Sequence, residues 1–399
     1  MKTKFALLRL SFWSVVFVVI MAAGLYATYV RFFHGLGAAT NLSDGFPWGL
    51  WIGFDVLCGV GLAAGGFTLV AAVHIFNIER YKPILRPAIL TAFLGYLLVI
   101  VALMFDLGRP YRIWHALVMW NPRSVMFEVA WCVMLYTTVL MLEFIPVVFE
   151  RFGWRKALRR VRMISVPLVI LGVILSTLHQ SSLGSLYLIV PEKLYPLWYS
   201  PMLPVLFFIS AICVGLAMTI FESWHSSKAF GKHLELPLLA SMARVLAVLL
   251  GVYLTIRAVD LVHRGVLPLV MEWRTETYLF GLEIALMLLP MLLLFRRRVR
   301  LNPRALYACA VMVVFGFVAH RLNVSVTGME ANAGASYLPR WTEAAVTLAI
   351  IAAGFAVFRL AAKYLPIFES NGFEKEVRSG RPDEPSTELA APIRVERCR

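Results

Sequence analysis

A chain of 399 residues, 60% of them hydrophobic and only 15% charged, is not built like a soluble enzyme; it reads as an all-α polytopic membrane protein. The formal net charge of +15 gathers in short loops between apolar segments, so it reads as topogenic and no nucleic-acid partner is expected. Cys58, Cys132, Cys213, Cys309 and Cys398 form no CxxC pair, and the first four lie inside apolar segments, so cysteine spacing supports neither a zinc site nor an iron–sulfur cluster, and no metal site is expected.

Ten segments are long and apolar enough to span a bilayer, at 10–30, 48–76, 86–106, 124–148, 162–180, 201–223, 237–262, 278–295, 304–323 and 341–365. Within lipid they must be helices, because each backbone polar group has to be satisfied inside its own segment. The first follows Lys2, Lys4 and Arg9 and lacks a small-residue cleavage site, so it reads as a retained span. Basic residues crowd the loops after the second, fourth and eighth spans: Arg80, Lys82 and Arg86; then Arg151, Arg155, Lys156, Arg159 and Arg160; then Arg296, Arg297, Arg298 and Arg300. By the positive-inside rule both termini are expected to be cytoplasmic. The outer loops are short, so any large catalytic domain must come from a partner. The expected domains are a membrane unit over 1–365 and a polar, disordered cytoplasmic tail over 366–399.

The second span, FPWGLWIGFDVLCGVGLAAGGFTLVAAVHIF, carries Asp55 followed by Gly59, Ala63 and Gly66 on one helical face. Small residues let helices approach closely in lipid, so this face is expected to be packed and Asp55 to point inward. A carboxylate there is costly and is a functional candidate; the plainer reading is a structural hydrogen bond to a neighbour.

A repeat runs through the chain. FEVAW around Glu128 and LEIAL around Glu283 each open a span that ends in a strongly basic loop. LHQ at His179 and AHR at His320 each close the following span. This predicts two parallel four-helix bundles, spans two to five within 48–180 and spans six to nine within 201–323, with spans one and ten flanking them. At 1.5 Å rise per residue, Asp55, Glu128, Glu283, His179, Arg257, Asp260 and His320 fall in one outer layer, and Arg257 and Asp260 are spaced to pair on one face. The inner half is sparser, with His74, Glu143, Glu222 and Arg244. A polar layer inside apolar walls suits an amphipathic ligand such as a quinone, whose reduction needs proton donors beside its carbonyls. For the histidines and glutamates alike, the alternative is a cap or a helix-to-helix hydrogen bond.

Five stretches together resemble the NrfD/PsrC family of quinone-interacting membrane subunits, and within it the HybB-type branch serving periplasmic nickel–iron hydrogenases of the hydrogenase-2 type. They are GFPWGLWIGFDVLCGVGLAAGG at 45–66, RPAIL at 86–90, NPRSVMFEVAWC at 121–132, LEFIPVVFERFGW at 142–154 and LHQSSLGSLYL at 178–188. The resemblance covers nearly the whole chain and weakens beyond the sixth span. It implies partners: a periplasmic iron–sulfur electron-transfer protein and the large and small hydrogenase subunits. It also implies menaquinone or ubiquinone reduced near the outer surface, with neither haem nor iron–sulfur cluster in this chain. Under it, Glu128, Asp55 and His179 are the expected catalytic residues, and Trp48, Asp55, Arg109, His179, Gln180 and Ser181 the expected quinone-binding set. Glu143, His74, Glu283, Asp260 and Arg257 are candidate proton-relay groups. Other members of the family serve reductases, so a quinol-oxidising subunit is one alternative. A di-haem cytochrome b is another, although the helical histidine pairs at one-core-width spacing that two stacked haems require are absent. A secondary transporter is a third, disfavoured because the repeat is parallel and the charges crowd one side.

Overall fold

The computed structural model describes residues 12–230, 234–334 and 336–367; the expected tail lies outside the described residues from 368 onward. Among the described residues, ten helices are long and apolar enough to cross a membrane: α1 Phe12–His34, α2 Trp51–His74, α3 Ile84–Asp106, α4 Val125–Phe152, α5 Ser165–Ile189, α6 Leu203–Ala229, α7 Leu236–His263, α8 Thr275–Leu294, α9 Pro303–Asn332 and α10 Trp341–Tyr364. No strand occurs among the described residues.

Local chemistry sets the helix ends. Ser124 opens α4 by accepting from Phe127 N, and Gly153 closes it at φ 68°, a left-handed position that glycine occupies without a Cβ penalty. Asn302 caps α9 through Arg304 N and Ala305 N. Glu343 turns back to Arg340 N at the start of α10 and also accepts from Asn41 N, both at 3.0 Å. The Tyr337 hydroxyl donates to the same carboxylate, and burial together with that neighbour raises the phenol's pKa above its ordinary value.

The helix α2 is the centre of the molecule. It is free of proline, as its sequence requires, yet it is not regular: π-type turns over Trp51–Val56 give way to Leu57–Leu62, and the helix is interrupted at Ala63 and Ala64 before Gly65–His74. Its small residues face several partners. The Gly59, Ala63 and Gly66 face packs on Val99, Gly95 and Ala92 of α3. On other sides, Gly61 meets Phe317 of α9, and Gly65 meets Gly215 of α6 so closely that a Cβ on Gly215 would fall 2.8 Å from the Ala64 carbonyl carbon. Glycine here permits backbone approach that no side chain would allow.

Around α2 the neighbours follow in order. The helices α3, α4 and α5 pack in sequence, and α5 returns to α2; α6, α7, α8 and α9 likewise pack in sequence, and α9 returns to α6. The helix α10 lies between α1 and α3. At one end of these helices lie the basic loops, including the short helix Arg155–Met163 and the turn Arg297–Arg300. Toward the other end lie Asp55, Glu128, His179, Glu283 and His320.

Candidate functional site

Within α3, α4 and α5, apolar sequence forms the walls and a few polar side chains converge between them. His179 and Gln180 on α5 are fully buried. The His179 Nδ1 atom lies 2.9 Å from the Tyr96 hydroxyl of α3, and the Gln180 amide donates to the Val60 carbonyl of α2 at 3.2 Å. One turn further along α5, the Ser182 hydroxyl donates to Glu128 Oε1 at 2.5 Å. Glu128 itself is exposed, which corrects the expectation of a buried carboxylate. It sits in the first turn of α4, where the helix start leaves its outer face open.

Buried polar atoms without protein partners mark what this group lacks. They are His179 Nε2, Gln180 Oε1, Tyr136 Oη and Ser176 Oγ. An unpaired buried polar atom costs free energy unless water or a ligand satisfies it. Tyr136 stands edge-on to Tyr96, with ring centroids 4.7 Å apart, and so continues the line from His179 toward the basic end. Two turns beyond Tyr136 on α4 is Glu143, which faces α5 at Gly172, where a Cβ would lie 3.4 Å from Glu143 Oε1. The sequence reading missed Tyr96, Tyr136, Ser176 and Ser182. Their signal was present, since tyrosines in apolar spans carry a hydroxyl that must find a partner, but one residue type scattered over three helices forms no motif.

Other expected residues lie apart from this group. Asp55, 7% exposed, accepts from the Thr347 hydroxyl of α10 at 2.6 Å, so its hydrogen bond leads away from α4 and α5. Trp48 is half-buried and meets Tyr187 edge-on at 5.9 Å; Ser181 is half-buried; Arg109 is exposed in the segment after α3. His74 is exposed at the end of α2, with its Nδ1 atom 3.3 Å from Val70 O of the same helix.

The second set of helices holds a related constellation. His320 Nδ1 donates to Glu283 Oε1 at 2.8 Å, and Asn323, one turn on, donates to Glu283 Oε2 at 2.9 Å. Tyr253 of α7 faces His320 edge-on, as Tyr96 faces His179. A tyrosine, a histidine and, three residues after it, a polar partner for a glutamate thus recur in the same order. The two versions differ in closure: Glu283 is fully buried and also takes the Trp198 indole N–H at 2.9 Å, whereas Glu128 is open. The position after the histidine holds Gln180 in one and Arg321 in the other; Arg321 lies over the Phe207 ring at 3.5 Å. Arg257 does not pair with Asp260 as its spacing suggested. Asp260 takes Arg264 at 2.8 Å and Ser200, while Arg257 bonds the Leu197 carbonyl and lies over Phe280. Residue 264 follows at four positions, in the first turn beyond α7, and its guanidinium reaches Asp260 without being buried.

No group of histidine, cysteine, aspartate and glutamate suited to a metal ion occurs among the described residues. Residues 38–331 match the family described as polysulphide reductase, NrfD. A protein of Nitratidesulfovibrio vulgaris is 38% identical over 88% of this chain and 92% of its own length. A probable Ni/Fe-hydrogenase 2 b-type cytochrome subunit of Escherichia coli is 34% identical over 84% of this chain and 87% of its own. The integral membrane subunit of a menaquinone reductase, also from Nitratidesulfovibrio vulgaris, is 30% identical over 91% and 93%.

Proposed function

The chain belongs to the NrfD family, and we propose that within it this protein is the membrane anchor and quinone-reducing subunit of a periplasmic nickel–iron hydrogenase. The hydrogenase likeness supports the partner, and the menaquinone reductase likeness supports the substrate. An iron–sulfur partner delivers electrons at the outer end. Each quinone takes two electrons and two protons and leaves as quinol.

The observation that carries this reading is the pairing of an open carboxylate with orphaned buried atoms. The exposed Glu128 sits beside Ser182, and behind it His179 Nε2 and Gln180 Oε1 lack protein partners. A quinone arriving from lipid meets Glu128 first. One carbonyl then hydrogen-bonds within reach of His179, whose ring is held by the Tyr96 hydroxyl at Nδ1 and leaves Nε2 for the quinone. Protons come from the basic end, past Glu143, Tyr136 and Tyr96, with water bridging the gaps. Glu128 and Glu143 are about 22 Å apart by helical rise, too far for direct transfer, and the two tyrosines divide that distance.

His179→Ala tests the site. The expected result is loss of hydrogen-dependent quinone reduction in the assembled complex, with hydrogen oxidation by a soluble dye retained, because the dye takes electrons from the partner. Normal quinone turnover in the variant would return His179 to a structural role. We also read the chain as free of haem. The sequence lacks the histidine pairs, one core-width apart on a helix, that two stacked haems require. A bis-imidazole haem spectrum from the purified subunit would favour the cytochrome alternative instead.

A further inference from the structure

The chain passes from α4 to α5 through the helix Arg155–Met163, whose sequence is RKALRRVRM. Leu158 is 2% exposed and anchors one side of this helix against the protein. Arg155, Lys156, Arg159 and Arg160 turn to the opposite side and are exposed, with Met163 among them. The nearby carboxylate is already taken: Glu150 holds Arg86 at 3.0 Å and Arg162 at 3.1 Å. The four outward cations therefore have no carboxylate partner among the described residues.

The same corner is apolar at its rim. Phe152, Trp154, Met163 and Ile164 are exposed, and Trp154 packs against Phe149 and Phe152 with centroids 5.6 and 5.8 Å away. From Ile164 an exposed stripe of Val166, Ile170 and Ile174 continues along α5 into the membrane-spanning layer. A dissolved anion has no use for that stripe, and an acidic protein would not reach along it. A lipid matches both parts, with phosphate at the cations and an acyl chain along α5.

We propose that the Arg155–Met163 helix and the flanking face of α5 form a binding site for an anionic phospholipid, with Arg155, Lys156, Arg159 and Arg160 on the headgroup phosphate. Each cation near an anionic headgroup contributes about a factor of five in affinity, so four together give a preference of roughly a hundredfold or more over a zwitterionic lipid.

The test uses the purified full-length protein in detergent, titrated with cardiolipin or phosphatidylcholine and read by native mass spectrometry. Wild type is expected to retain cardiolipin and release phosphatidylcholine. Gln at Arg155, Lys156, Arg159 and Arg160 together is expected to abolish retention while leaving the thermal midpoint in detergent unchanged. Gln at Arg296, Arg297 and Arg298 removes charge from the same end of the molecule and is expected to leave cardiolipin bound. Retention by the four-site variant, or equal loss from the three-site variant, overturns the proposal. So does release of cardiolipin by inorganic phosphate alone, which would make this a phosphate site.

Discussion

Glu128 and Glu283 occupy equivalent places in a repeated sequence, yet their surroundings differ. Glu128 has one hydrogen-bond partner, Ser182, and an open face. Glu283 is sealed by His320, Asn323 and Trp198, with Arg257 and Arg321 buried in the same set of helices. Removing the charge from each should therefore have opposite consequences. Glu128→Gln keeps shape and hydrogen bonding but cannot shuttle a proton. In proteoliposomes driven by hydrogen and a quinone it is expected to lose proton uptake and quinone turnover while unfolding at the wild-type temperature. Glu283→Gln takes the carboxylate from His320, its partner at 2.8 Å, and negative charge from the helices that bury Arg257 and Arg321; removing one partner of a buried pair costs about 3–5 kcal/mol. It is expected to lower the thermal midpoint and the yield of assembled protein. A Glu283→Gln variant of full stability would show that the arginines are neutralised by something other than this carboxylate.

At the scale of the helix, α2 shows how composition becomes architecture. Its glycines and alanines supply no adhesive side chains; they remove obstacles. With α3, α6 and α9 all in van der Waals reach, the α2 backbone becomes part of the packing surface and part of the polar site, since the Val60 carbonyl accepts from Gln180. The interruption at Ala63 and Ala64 lies beside Gly215, where the α2 and α6 backbones approach closely. Gly215→Val places its side chain against that backbone, which cannot yield as a flexible side chain would. Overpacking of this kind costs about 1–3 kcal/mol. A thermal melt should move downward for Gly215→Val, whereas Gly251→Ala, whose added Cβ meets only the flexible Met291 side chain at 3.6 Å, should leave it nearly unchanged.

For the molecule as a whole, the ten candidate spans among the described residues and the basic loops at one end support the proposal that both termini are cytoplasmic. The prediction is that a reporter fused after Arg399 gives a cytoplasmic signal and one inserted between α9 and α10 gives a periplasmic one. The reverse pattern would invert the proposed proton route as well, because Glu143 and the basic helix would then face the periplasm. The central helices are buried and α1 and α10 are largely open, with 11% and 17% of their apolar windows covered. The lipid-facing surface thus lies on the flanking spans and the outer faces of the rings, and the polar groups lie between.

The sequence by itself determined the helices, their number and the end at which the ionisable groups gather, because hydrocarbon leaves a chain no alternative to satisfying its own backbone and because depth follows from residue count. It also carried the family, through GFPWGLWIGFD and LHQSSLG. Tertiary structure decided the partners. Asp55 has the same spacing toward several helices, and only packing turned it to Thr347. Arg257 and Asp260 could have met along one helix, but the competing Leu197 carbonyl and the nearer Arg264 separated them. Tyr96 and His179, 83 positions apart, come together through the contacts of α3 and α5 with their shared neighbours, and no local pattern encodes that meeting. Periodicity records which face of a helix is polar; which helix that face will find depends on side-chain shape across the whole bundle.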